Sequence, residues 1–336
     1  MPFKSEMTTW ERIRATLRGD ETDRAPVALW QHFPVIDEYP QKLAHATLAF
    51  QNKYEWDLVK FTPTGTYGIE DWGAKTAWQP NETGVRTVTK FGIHSPKEWP
   101  KLEKLNVSRG YIGNQNIALG LVAQELKGSV PLIQTIFSPL TTARKLAGGR
   151  IFTDLRQNPE LFKQGLEIIT DVTIRFAQQA LKAGANGLFF ATQLASPSLL
   201  PPTEYQEFGE TYDLRILKAI RAEAEILILH IHGENILFNL ANRYPVDIVN
   251  WHDRLTFPSL SEARTRTPLT LAGGISEWNS LQTGPVSSIQ NELRVEITAS
   301  GGRKYLVAPG CVIPHQTPEA HIRAVREVVE KQPEQG

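Results

Sequence analysis

The segment Ile226-Leu227-Ile228-Leu229-His230-Ile231-His232-Gly233-Glu234-Asn235 places an apolar run directly before two histidines spaced two apart. A short leucine and isoleucine run bounded by glycine reads as a strand buried on both faces, as in parallel sheets. Residues two apart on a strand point to the same side. The His230 and His232 imidazoles can therefore face one point at the carboxyl end of this strand. Taken alone, the pair reads equally well as a hydrogen-bonded rim histidine followed by a helix-start histidine.

Outward from this strand the same kind of run recurs, separated by longer amphipathic helical stretches. Candidate strands are Val27-Ala28-Leu29-Trp30, Leu58-Val59-Lys60-Phe61, Pro131-Leu132-Ile133-Gln134-Thr135, Gly187-Leu188-Phe189-Phe190, Ile226 to His230, Asp247-Ile248-Val249-Asn250, Leu269-Thr270-Leu271 and Tyr305-Leu306-Val307-Ala308. Strands alternating with helices argue for a parallel sheet with helices outside it. Eight of them suggest an α/β fold of the (β/α)8 TIM-barrel type, with an open doubly wound sheet as the alternative. Thr9 is the expected cap of a first helix that stops at Gly19. A helix is expected from Pro159 to about Ala183, and Thr317 with Pro318 is expected to open the last one. The stretch from about Thr64 to Gln115 breaks the repeat. Its β-branched run Val85 to Phe91, preceded by the turn-like Pro80-Asn81-Glu82-Thr83-Gly84, predicts a hairpin inserted after the second strand, over the barrel mouth. With no linker in evidence, residues 1–336 read as a single domain.

Two further strand ends join the histidine pair. Asn250-Trp251-His252-Asp253 closes one strand, and Gly310-Cys311-Val312 follows the last. Barrel enzymes keep their reactive groups at the carboxyl ends of strands. Imidazole and thiolate together are the donors that borderline-soft Zn2+ prefers, so His230, His232 and Cys311 are the expected metal ligands. A lone free cysteine otherwise reads as a small buried hydrophobe. His252 is expected to be a fourth ligand or a base. Glu234 and Asp253 are candidates to orient imidazoles, or ordinary rim charges. Trp30, His32, Asp71 and Trp72 are candidates for lining a substrate pocket, with packing as the alternative. Gly273-Gly274 reads as a tight turn or an anion-binding turn.

Bulk composition narrows the classes. Lys plus Arg equals Asp plus Glu at 36 each, so the net charge is zero, and no long basic run appears. Nucleic acid and anionic membranes are not expected partners. No stretch is apolar for long enough to span a bilayer. Met1 to Met7 runs into Trp10-Glu11-Arg12 without a charged region followed by an apolar one, so no signal peptide is expected. A single cysteine cannot form an internal disulfide, and a cytoplasmic protein is the expectation.

Four motifs add a family resemblance. Asp23-Arg24-Ala25-Pro26-Val27, Phe137-Ser138-Pro139-Leu140-Thr141, Gly184-Ala185-Asn186-Gly187 and Ala308-Pro309-Gly310-Cys311-Val312-Ile313-Pro314 followed by Thr317-Pro318-Glu319 resemble the uroporphyrinogen decarboxylase superfamily across nearly the whole chain. The resemblance implies a (β/α)8 barrel. It implies either a decarboxylase acting on a tetrapyrrole or a zinc-dependent methyltransferase acting with a corrinoid protein. A homodimer is also in keeping with it.

True decarboxylases carry two arginines after the first strand. Here that stretch reads Gln31-His32-Phe33-Pro34-Val35-Ile36, with neither. The pyrrole-gripping aspartate is missing from Phe61-Thr62-Pro63, the family tyrosine falls near Lys145, and the last-strand histidine matches Cys311. A polyanionic tetrapyrrole would lose several charge-assisted contacts. The methyltransferase branch has His-x-Cys on the fifth strand and a cysteine after the eighth, against His230-x-His232 and Cys311 here. The related cobalamin-independent methionine synthase adds a glutamate where His252 sits. Imidazole in place of thiolate makes a zinc centre more positive and favours Lewis-acid chemistry.

The expected function is thus a zinc-dependent methyltransferase acting on a small thiol or a corrinoid-bound methyl group. The alternatives are a metal-free decarboxylase using His32 and His230 as proton donors, and a non-catalytic barrel that binds a tetrapyrrole or corrinoid.

Overall fold

The computed structural model describes residues 6–330; residues 1–5, on which the leader reading partly rests, and 331–336 lie outside it. The strands are β1 (Val59–Phe61), β2 (Lys75–Ala77), β3 (Thr87–Lys90), β4 (Leu132–Phe137), β5 (Gly187–Thr192), β6 (Ile226–Ile231), β7 (Ile248–Trp251), β8 (Thr270–Ile275) and β9 (Tyr305–Pro309). Seven of them form one all-parallel sheet in the order β1-β4-β5-β6-β7-β8-β9. The molecule is an α/β protein with helices in the crossovers, among them Gly110–Leu126, Pro159–Lys182, Thr211–Ile220 and Val286–Ser300.

The first expected strand is the exception. Val27 makes a single parallel bridge with Val307. The Val307 N–H donates to the Pro26 carbonyl and the Ala28 N–H to the Val307 carbonyl, at 2.9 and 3.0 Å. The next rung needs an N–H from residue 309, and Pro309 has none. The Trp30 carbonyl instead accepts from Ile313 N–H, and the Val27 carbonyl from Asp57 N–H just ahead of β1, both at 2.9 Å. The segment therefore touches β9 on one side and the approach to β1 on the other without forming a ladder.

Alternation decides what each strand presents. Leu58, Ile133, Phe189, Ala191, Ile226, Ile228, Ile248, Ala272, Leu306 and Ala308 form one buried cluster with Ala28 and Trp30. Residues of the opposite parity, such as Leu188, Leu227, Leu229, Val249 and Val307, join the larger cluster beneath the helices. His230 and Lys60 share the parity of the first set.

At the amino-terminal ends of the strands lies an ion-pair network. Asp57, 0 % exposed, accepts from Arg12 Nη1 (2.6 Å), from Arg24 Nη1 and Nη2 (2.6 and 3.0 Å) and from the Val27 N–H (2.9 Å). Arg12 also grips Asp23 at 2.7 Å, and Arg24 Nε lies 2.8 Å from Glu330. Asp23-Arg24-Ala25-Pro26 is thus part of the scaffold.

Helix starts shift slightly from expectation. Thr8, not Thr9, caps the Thr9–Arg18 helix, because Glu11 completes a reciprocal capping box with it. Thr317 does not cap the last helix, Glu319–Glu330; its hydroxyl donates back to the Pro314 carbonyl at 2.7 Å. The insertion forms as an antiparallel β2–β3 hairpin. The His315 backbone N–H and ring Nε2 hold its Pro80 to Gly84 turn at the Glu82 and Asn81 carbonyls, each at 3.0 Å. Among the described residues no helix is long and apolar enough to cross a membrane.

Candidate metal centre and substrate cavity

Three strand ends converge at the carboxyl edge of the sheet. His230 lies in β6, His232 follows it, His252 follows β7, and Cys311 follows β9. One ligand atom from each of the four lies within 4.8 Å of every other. His252 Nε2 is 3.2 Å from His232 Nδ1, and Cys311 Sγ is 3.7 Å from the same atom. Tetrahedral zinc with Zn–N of about 2.0–2.1 Å and Zn–S of about 2.3 Å separates nitrogen pairs by about 3.3 Å and nitrogen–sulfur pairs by about 3.6 Å. The donor set and its spacing fit such an ion. His230 and His252 are buried, while His232 and Cys311 are half-buried.

Neighbouring groups fix which nitrogen two of the three imidazoles present. Asn250 donates through Nδ2 to the Ala272 and Pro309 carbonyls (2.9 and 3.0 Å), so its Oδ1 faces His230 Nδ1 at 2.7 Å. That oxygen can only accept, so His230 carries its proton on Nδ1 and turns a lone pair on Nε2 toward the cluster. Glu277, 1 % exposed, does the same for His252, with Oε1 2.8 Å from Nδ1. Such outer partners set tautomer and ring orientation in metal sites. Burial works against a charged thiol, but the three imidazoles packed around it, His232 Nδ1 at 3.7 Å among them, outweigh burial and hold Cys311 well below the usual thiol range. That favours the thiolate, the form that binds metal.

The cluster opens into a cavity of 380 Å3, within the usual range of small-molecule sites. Trp30 and His32 line it, as do Thr83, Val85 and Val88 from the hairpin and its turn. The other candidates are placed elsewhere. Both Asp71 oxygens accept backbone N–H groups of Tyr111 and Ile112 (3.0 and 2.9 Å), satisfying orphan donors at the start of the Gly110–Leu126 helix. Trp72 donates its indole N–H to the Glu103 carbonyl at 2.9 Å. Neither lines the cavity: Asp71 is spent on the helix start and Trp72 on the Glu103 carbonyl. The Glu234 side chain is exposed, and its carbonyl accepts from Ser196 Oγ at 2.8 Å. Asp253 is buried and accepts from the Gly274 N–H at 3.1 Å. A Cβ on Gly273 would fall 2.5 Å from that carboxylate, and one on Gly274 2.0 Å from the Tyr305 hydroxyl. The two glycines thus serve close packing, and the Gly274 N–H is already taken.

Four residues of the site escape a reading of motifs. Asn250 and Glu277 act through imidazoles they do not neighbour in sequence. Lys60 and Lys145 line the cavity. Lys60 carried a signal in its alternation with Leu58, which puts an ammonium among inward-facing apolar residues.

Comparison with known proteins places the chain in a family. A family model described as uroporphyrinogen decarboxylase (URO-D) matches residues 8–332. The chain is 28 % identical to the methylcobamide:CoM methyltransferase MtaA of Methanosarcina barkeri, over 96 % of this chain and 97 % of that one. It is 20 % identical to the methylcobamide:CoM methyltransferase MtbA of Methanosarcina acetivorans, over 96 % and 98 %. A uroporphyrinogen decarboxylase of Christiangramia forsetii is 31 % identical, over 40 % of this chain and 41 % of that one. In fold the chain matches a methyltransferase from Methanosarcina mazei with a TM-score of 0.84, at 22 % identity over 97 % of this chain and 99 % of that one. Since the family model spans almost all of the described residues, the chain belongs to the uroporphyrinogen decarboxylase (URO-D) family.

Proposed function

We propose that this chain is a methyltransferase that moves a methyl group from a corrinoid to a small thiol, with zinc held by His230, His232 and Cys311, its fourth position open to the thiol, and His252 beside it as a base. The observation that carries this reading is the convergence of three imidazoles and one thiolate within 4.8 Å. Full-length similarity to two methylcobamide:CoM methyltransferases supports it. Zinc bound there lowers the pKa of a coordinated thiol and keeps it anionic near neutral pH.

The chain's own residues do the rest. Asn250 and Glu277 keep the His230 and His252 rings aimed at one point. Trp30, Phe189 and Val312 wall the cavity against bulk water, and the hairpin covers it. In the transfer a sulfur–carbon bond forms and the cobalt–carbon bond breaks. Its electron pair stays on cobalt and the thiol proton leaves to solvent. The donor is a methyl corrinoid carried on a partner protein and presented at the mouth. The sheet with the Val27 segment is read as a (β/α)8 barrel whose eighth staff is a single bridge, and the chain as one such domain. Imidazole in place of thiolate leaves the metal more electrophilic than a thiolate-rich site would, which draws density from the bound sulfur and favours acceptors whose thiolates are strong nucleophiles.

The test is elemental analysis of protein purified without a nickel column, followed by methyl transfer from methylcobalamin to thiols. About one zinc per chain is expected, lost in the Cys311→Ser, His232→Ala double variant together with transfer. Well-folded native protein without bound metal overturns the reading.

A further inference from the structure

The cavity beside the cluster is cationic in an unusual way. His32, Lys60, Arg86 and Lys145 line it, and no carboxylate does. Arg86 is already paired, with Nη1 2.8 Å from Glu38. The two lysines are not. Lys60, 7 % exposed, donates to Thr62 Oγ1 at 3.2 Å and lies 4.5 Å from the Phe189 ring centre. Lys145 donates to the Gly65 carbonyl and sits 3.1 Å over the Phe137 ring. Among the described residues neither makes an ion pair. An ammonium has three donors, so each keeps two for something other than protein. The buried His32 Nδ1 also has no partner.

Burying an ammonium without a counter-ion is costly, and a protein keeps one where a ligand supplies the charge. Burial pushes both lysines down to about 7, with the Cys311 sulfur opposing the fall at Lys60 alone. Burial pushes His32, which also feels both ammonium groups, down to about 3, so His32 is neutral. Each lysine has its own aromatic wall and its own loop partner, with His32 within electrostatic reach of both. That is a pair of separate anchor points, not one shared grip on a single anion.

We infer that the methyl acceptor is a thiol bearing two carboxylates, one seated on Lys60 and one on Lys145, with its sulfur at the His230, His232, His252 and Cys311 cluster. The thiol half of this statement rests on the methyltransferase reading; the dicarboxylate half rests on the cavity alone.

The holoenzyme is titrated calorimetrically with mercaptosuccinate (two carboxylates), 3-mercaptopropionate (one), 2-mercaptoethanol (none) and succinate, which has no thiol. Each charge-assisted contact contributes roughly 1.5–3 kcal/mol, so mercaptosuccinate is expected to bind at least about tenfold more tightly than 3-mercaptopropionate. Succinate binds and competes with it. Lys60→Met and Lys145→Met each remove that advantage while zinc content is unchanged. Equal affinity for the one- and two-carboxylate thiols overturns the inference, and that comparison needs no variant. Undiminished succinate binding in the double variant does so as well. Succinate binding that depends on both lysines, with no methyl transfer to any thiol, sinks the methyltransferase reading and leaves the dicarboxylate site standing.

Discussion

Arg12, Arg24 and Asp57 at one end of the parallel sheet, and Lys60 and Lys145 at the other, are buried or half-buried charges handled in opposite ways. At the amino-terminal end each guanidinium meets carboxylate oxygens at 2.6–3.0 Å, and the carboxylate also takes the Val27 N–H. At the carboxyl end the ammonium groups meet a hydroxyl, a carbonyl and aromatic faces. A buried ion pair that loses a partner leaves an uncompensated charge, which costs about 3–5 kcal/mol. A buried charge that never had a protein partner costs stability as it stands. The first arrangement holds the chain together, and the second reserves charge for a ligand.

The harshest way to break the contrast is Asp57→Ala. It takes a shared carboxylate from two buried guanidiniums, leaving Arg12 only Asp23 and Arg24 only Glu330 as anionic partners, and removes the acceptor that fixes Val27 beside β1. A loss of about 3–5 kcal/mol is expected, read as a lowered urea midpoint with unchanged slope. A midpoint within experimental error of the native protein would show the network to be dispensable, and the comparison would fail.

At the other end the sign reverses. Lys60→Met keeps the apolar stem length and removes a charge that is 7 % exposed and without a carboxylate. The variant is expected to be as stable as the native protein or more stable, by up to about 2 kcal/mol, in the same urea experiment without ligand. A marked loss of stability would mean that Lys60 supports the fold, and the two ends would no longer differ in kind.

The same contrast explains what could be read from sequence. Strands and their inward parity were legible because β6 and its neighbours are short, apolar and periodic, and the meeting of His230, His232, His252 and Cys311 followed from where those strands end. The Val27 segment looked like an eighth strand because composition does not reveal that the opposing residue, Pro309, cannot donate. Asp71 and Trp72 looked like pocket residues because nothing local says that a helix forty positions on needs its first N–H groups satisfied. Glu277 escaped because its role depends on His252, twenty-five positions earlier in the chain. Partners distant in sequence are fixed by packing, which periodicity does not encode.

The smallest effect tests whether unpaired charge is tolerated beyond the lysines. Asp37 is 1 % exposed, and neither carboxylate oxygen has a hydrogen-bond partner. Burial raises it from 3.8 to about 7; Arg86 opposes the rise, and Glu38 and Glu70 add to it. Between those two values the folded protein holds a proton that the unfolded chain has already released. The site therefore costs nothing below about pH 3.8, costs more as pH rises through the window, and reaches its full cost above about pH 7. Asp37→Asn cannot ionise. Its amide would be buried without partners too, which offsets most of the roughly 4 kcal/mol that the shift represents, so a gain of about 1 kcal/mol, or roughly 2 °C in Tm, is expected at pH 8. The gain shrinks as the pH is lowered and is gone by about pH 4. Equal Tm differences at pH 8 and pH 4 would mean that the gain comes from packing, and Asp37 would leave the set of charges that this end of the sheet keeps unpaired.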